Sequence, residues 1–182
     1  MSRKWLAGLA AMIVFFAVAY VGSPFWAARQ FKNAAFSADV DRLDAAVDFP
    51  AVRESLKSQM TVALTTKMQN DPEMRSNPFS GLGMLMMPAI IGKMVDGLVT
   101  PEGMSALMKR GRMERGGSEV KANPDVHYNY DYRNLDRFAV TVTPPDAKSG
   151  ETPKFVFERR GLFSWKLIRI EIPEKVFSEK QA

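Results

Sequence analysis

The chain has 182 residues, is 46% apolar and 25% charged, and carries a formal net charge of +5. That mixture excludes wholesale disorder, and a charge of +5, of which Arg3 and Lys4 supply two, leaves no footprint for nucleic acid as a partner. Cysteine is absent, so there is no disulfide framework, thiolate metal site or thiol nucleophile.

Behind Arg3 and Lys4 no charge occurs from Trp5 to Ala28. As a helix this stretch would reach about 36 Å, against a hydrocarbon core of about 30 Å. Trp5 at one end, and Tyr20 and Trp26 at the other, suit the two aromatic belts of a bilayer. Arg3 and Lys4 favour a cytoplasmic N-terminus, which places the rest of the chain on the far side. Residues 1–23 are therefore expected to form a transmembrane anchor, with the membrane itself as a partner. Ala17-Val18-Ala19 also fits the small-x-small site of a cleaved signal peptide. Both readings export the domain, expected over residues 24–173 and followed by a polar tail at 174–182.

Ser23-Pro24 reads as a helix start, with Ser as cap and Pro in the first turn, opening a helix to about Ser37. A short helix over Asp39–Val47 places Val40, Leu43, Ala46 and Val47 on one face. Asp48-Phe49-Pro50 ends it and caps a helix to about Gln69, with Val52, Leu56, Met60, Ala63 and Leu64 as its stripe. A polar loop through Asn70-Asp71-Pro72 and Asn77-Pro78 follows.

Phe79–Val99 holds only Lys93 and Asp96 as charges, carries Met84, Met86, Met87 and Met94, and is interrupted by Pro88. It reads as one or two short helices, with methionine filling core gaps. An apolar surface nearly all round means burial or contact with lipid. A helix over Pro101–Arg110 turns Met104, Leu107 and Met108 inward, and a charged link runs from Gly111 to Pro124. The period then changes from 3.6 to 2. Strands are expected at Tyr128–Tyr132, Arg137–Thr143, Lys154–Arg159 and Trp165–Ile172, the last with Ile168, Ile170 and Ile172 opposite Trp165 and Leu167. Pro144 to Pro153 is a turn. The fold class is α+β: an N-terminal membrane helix, then three to five helices packed on a four-stranded antiparallel meander.

Tyr20-Val-Gly-Ser-Pro-Phe-Trp-Ala27 and Val47-Asp-Phe-Pro-Ala-Val-Arg-Glu-Ser-Leu56 together resemble the DUF2939 family of exported bacterial proteins. The resemblance implies a bacterial envelope location, in the inner membrane with the domain in the periplasm, or free in the periplasm after cleavage following Ala19. It carries over no activity. Helices followed by a four-stranded sheet with Phe163-Ser-Trp-Lys166 are also similar to NTF2-like or cystatin-like cones, which host enzymes and binding modules alike.

No constellation for nucleophilic, metal or phosphate chemistry stands at the required spacing, and no cofactor is expected. His127 is the one histidine; as a general base it would need Asp125 or Asp131. Asp48 and Arg53, five residues apart across a helix start, could pair, or Arg53 could enter a cavity and take an anionic headgroup. Tyr128, Tyr130 and Tyr132 on one strand face could line an amphipathic pocket. The functional expectation is an exported, tethered domain that binds an envelope partner or a lipid-like ligand without catalysis. The alternative is an enzyme with an acid–base pair in a cone-fold pocket.

Overall fold

The computed structural model describes residues 3–70, 80–114, 126–143 and 152–173, with backbone alone at 80 and 111–114. Its first element, α1, is one helix from Arg3 to Ser37. The expected helix start at Ser23-Pro24 is therefore corrected, since both residues lie inside α1. A proline removes one helical hydrogen bond and crowds the carbonyl four residues back, and α1 tolerates this because the Ser23 hydroxyl meets the freed carbonyl. From Trp5 to Trp26 its large apolar side chains are exposed, whereas Ala27, Ala28, Phe31 and Ala34 are buried. One helix thus joins an apolar rod to a domain core.

Ala38 ends α1 in the left-handed region, at φ 52°. Its N–H bonds Ala35 and the Asp39 N–H bonds Ala34, the paired pattern that normally recruits glycine. Ser105 steadies the strained residue by donating its hydroxyl to the Ala38 carbonyl at 2.6 Å. Asp39 then caps α2, Val40–Ala46, by accepting from the Arg42 N–H. Asp48 caps α3, Phe49–Asn70, by accepting from Ala51.

Helix α4 spans Ser80–Leu98 without a break, so Pro88 does not divide it as expected. The ring fixes φ near the helical value, and the freed N–H site lies on an exposed helix where water can serve the carbonyl. Ile91 and Val95 are buried, but Leu82, Met84, Leu85, Met86, Ile90 and Met94 are exposed. Core filling by Met84, Met86 and Met94 is thereby corrected. Met68 reaches Gly83 and Lys57 pairs with Asp96 at 2.9 Å, so α3 and α4 form an antiparallel arm. Helix α5, Pro101–Glu114, packs Met104 on the core but leaves Leu107 exposed, against expectation.

The strands β1 (His127–Asn134), β2 (Arg137–Thr143), β3 (Lys154–Arg159) and β4 (Trp165–Glu171) form an antiparallel meander in sequence order. Phe138, Val140, Phe157, Trp165 and Leu167 meet Phe31, Leu43, Val47, Phe49 and Val52 in one core. A bulge opposite Val156 and Phe157 shifts the β4 register, so Ile170 joins Trp165 and Leu167 on the core side instead of opposing them. The expected turn from Pro144 and the tail from Glu174 lie outside the described residues, as does the loop after Asn70.

Arg133 of β1 and Glu171 of β4 meet across the back of the sheet in two hydrogen bonds of 3.0 and 2.8 Å. Four flat strands would hold these edges about 14 Å apart, so the pair requires the sheet to coil. The Arg133 hydrogen bond holds the Glu171 carboxyl below its ordinary range. A depressed carboxyl stabilises the fold above its unfolded value, about pH 4.3, and that contribution vanishes as pH falls through the folded value. Glu171→Gln should therefore cost on the order of 1 kcal/mol at pH 7, since the pair is about one-third exposed. Denaturation of both proteins should show the difference closing on acidification.

Candidate functional site

The junction of apolar rod and domain is built around Pro24. The residue four back from it is Tyr20, whose carbonyl loses its helical donor. The Ser23 hydroxyl donates to that carbonyl at 2.8 Å. The same hydroxyl accepts from the Trp165 indole N–H at 2.8 Å, so a buried serine is fully used. One residue on, the Tyr132 hydroxyl donates to the Val21 carbonyl. Burial raises the Tyr132 phenol, with Arg159 opposing, so it stays a donor at neutral pH. The carbonyl that the proline deprives is thus served from within α1 by Ser23, while the sheet holds that hydroxyl through Trp165 and bonds the next carbonyl through Tyr132.

Arg159 lies in the same junction, its side chain 7% exposed. Its guanidinium carbon stands 3.8 Å from the Tyr20 ring centre and 4.3 Å from that of Trp165, a stack between α1 and the sheet. Nε donates to the Leu135 carbonyl at 3.1 Å and Nη1 to the Leu162 carbonyl at 2.5 Å. One buried cation therefore holds both hairpin turns at this end of the sheet. Next to it, Arg160 pairs with Asp48 at 2.7 Å and Glu158 at 3.0 Å, clamping the start of α3 to the β3–β4 hairpin.

Beside the junction runs a half-open groove of about 700 Å³ between α1, α2 and the β3–β4 hairpin. Its lining is graded. Trp26, Leu162 and Phe163 make one end apolar, and Gln30, Asn33 and Arg42 make the other polar. Trp26 and Asn33 are about two turns apart on α1, so the polarity changes over about 10 Å. Asp39 pairs with Arg42 at 3.2 Å, leaving its guanidinium mostly exposed. Among the described residues no cluster of three His, Asp or Glu side chains could hold a metal.

The residues singled out in the sequence stand elsewhere. Asp48 caps α3 and pairs with Arg160, not with Arg53. Arg53 turns back on its own helix, donating Nε to the Phe49 carbonyl at 3.3 Å. The tyrosine face lies along α1: Tyr128 under Lys32, Tyr130 and Tyr132 against Phe25. None of the five lines the groove. His127 is exposed at the start of β1, and Asp125 lies outside the described residues. Arg159 was missed, although it continues the inward alternation of Phe155 and Phe157, where a charge is unexpected. Leu162-Phe163, two large apolar residues in a tight turn, carried a second signal.

A family model described as "Protein of unknown function (DUF2939)" matches residues 13–107. The match takes in α1 from Ile13 onward, Ser23-Pro24, Asp48, the helices α2 to α4 and the first part of α5, and it stops before the sheet. No curated protein and no solved structure matches the chain.

Proposed function

This chain belongs to the DUF2939 family, and from that premise we propose that it is a single-pass envelope protein whose periplasmic domain binds an amphipathic, lipid-like molecule without catalysis. The observation that carries this reading is the graded groove beside the apolar helix. Its volume lies within the range of small-molecule sites, and its apolar-to-polar lining matches a molecule with a tail and a headgroup. Arg42 is the ionisable side chain on the polar part, suited to an anionic group.

Retention of the anchor is supported by packing. Ala17-Val18-Ala19 lies inside an unbroken helix, and Phe16 stacks edge-on against Phe163 at 5.4 Å. A signal peptide cut after Ala19 would strip Phe163 of that partner. Arg3 and Lys4 support an N-terminus on the cytoplasmic side.

Purified full-length protein is expected to carry a stoichiometric amphipathic lipid, read by native mass spectrometry. Ala45→Trp puts an indole into the groove from an exposed position of α2 and should reduce that lipid at least tenfold without lowering the melting temperature. Equal lipid on both proteins would refute the groove as the site. A second reading draws on the exposed apolar face of α4, which suits an envelope protein partner. A protein crosslinked through Leu85, with no lipid bound in the groove, would favour it.

A further inference from the structure

We propose that the tip of the β3–β4 hairpin, Gly161–Phe163, is inserted in the leaflet on the domain side of the membrane, beside Phe16, so that the groove's apolar end opens directly onto lipid. The inference rests on α1 being a retained span. With Arg3 and Lys4 holding one end at the interface, a hydrocarbon core of about 30 Å takes about 20 residues of helix, Trp5 to Pro24. Phe16 then lies about 12 Å inside the far boundary. Tilting α1 only moves that boundary further along the helix, because more residues are needed to cross. The exposed apolar band agrees, continuing through Trp26. Phe163 packs on Phe16, so the hairpin tip also lies inside that boundary.

The tip is made for such a place. Leu162 is 62% and Phe163 41% exposed, with no charge between them and Arg160. Gly161 permits the tight turn, since a Cβ there would stand 2.7 Å from the Ser164 hydroxyl. Backbone carbonyls in hydrocarbon need internal donors, and two at this turn have them. Arg159 serves the Leu162 carbonyl and the Arg160 N–H serves that of Ser164 at 2.9 Å. Nearby charges limit the depth. Asp136 is exposed beside Leu135, and Arg160 is paired with Asp48 and Glu158, so the β1–β2 turn and the root of the hairpin belong at the headgroup level. At the other end of the sheet Gln59 of α3 bonds Ile170 and Ile172, and α3 runs on to Asn70, away from the anchor.

The chain has no cysteine, so single labels are unambiguous. Full-length Met12→Cys, Leu162→Cys and Thr66→Cys, all at exposed positions, would carry an environment-sensitive fluorophore in phosphatidylethanolamine/phosphatidylglycerol nanodiscs. The labels at Met12 and Leu162 are expected to be quenched by lipids with a nitroxide on the acyl chain, and at least fivefold less by iodide than the label at Thr66. If Leu162 is quenched by iodide as Thr66 is while Met12 stays shielded, insertion is overturned and the anchor stands. If Met12 is open to iodide, the span fails and the inference with it.

Discussion

Phe138→Ala is expected to destabilise the domain by about 3–5 kcal/mol, the range for deleting a fully buried aromatic ring. Phe138 has no exposed surface and contacts four rings, Phe25, Tyr130, Tyr132 and Trp165. Those rings come from α1, β1 and β4, so no single rearrangement collapses the cavity. The loss corresponds to a fall in melting temperature of roughly 10 °C for a domain of this size. Circular dichroism of the detergent-solubilised full chain would measure it. Leu135→Ala, three positions away on an exposed turn, should stay within about 0.5 kcal/mol of the parent protein in that medium. A Phe138→Ala protein as stable as Leu135→Ala would mean that this ring cluster is not packed as described.

Trp165→Ala should cost about as much, roughly 3–5 kcal/mol, and should loosen the domain from α1 in addition. The indole is 5% exposed and performs three tasks. It fills core space beside Phe138, stacks on the Arg159 guanidinium, and donates to Ser23 where Pro24 interrupts α1. Trp165→Phe separates these tasks. It keeps a buried ring but loses the N–H, which should cost about 1–2 kcal/mol for an unmet buried acceptor. Hydrogen exchange would report the anchor contact separately. Amides around Tyr20–Phe25 should exchange faster in both variants, and amides of α3 beyond Gln59 should not. Uniform acceleration throughout would show a global loss of stability without a specific junction.

The α+β class, the order of the elements and the meander were legible because period and punctuation are local properties. Tyr128–Tyr132 and Phe155-Phe157 alternate, and Asp48 caps as such a residue does. The long apolar stretch was legible for the same reason, since length and absence of charge need no partner. Ser23-Pro24 was misread because the same two residues signal a helix start or a bridged interior proline. In the fold the Ser23 hydroxyl meets the freed Tyr20 carbonyl, and Trp165 and Tyr132, more than 100 residues away, fix that hydroxyl and bond the next carbonyl. Pro88 and the methionines of α4 show the other side of this ambiguity. Composition sets how apolar a segment is, but only the packing of α4 on α3 decided which of its residues are covered.

The pairing of Asp48 with Arg160 rather than Arg53 has the same origin. Sequence proximity offered one cation, and the β3–β4 hairpin brought a better placed one. By itself, then, the sequence determined the order of the elements, the Asp48 cap and the long apolar helix. The tertiary structure alone decided the groove, the buried Arg159 between Tyr20 and Trp165, and the position of Leu162 and Phe163 beside that helix. Each of these joins residues distant in the chain, and no local pattern encodes where a coiled sheet will set its hairpin tips against a helix that starts the chain.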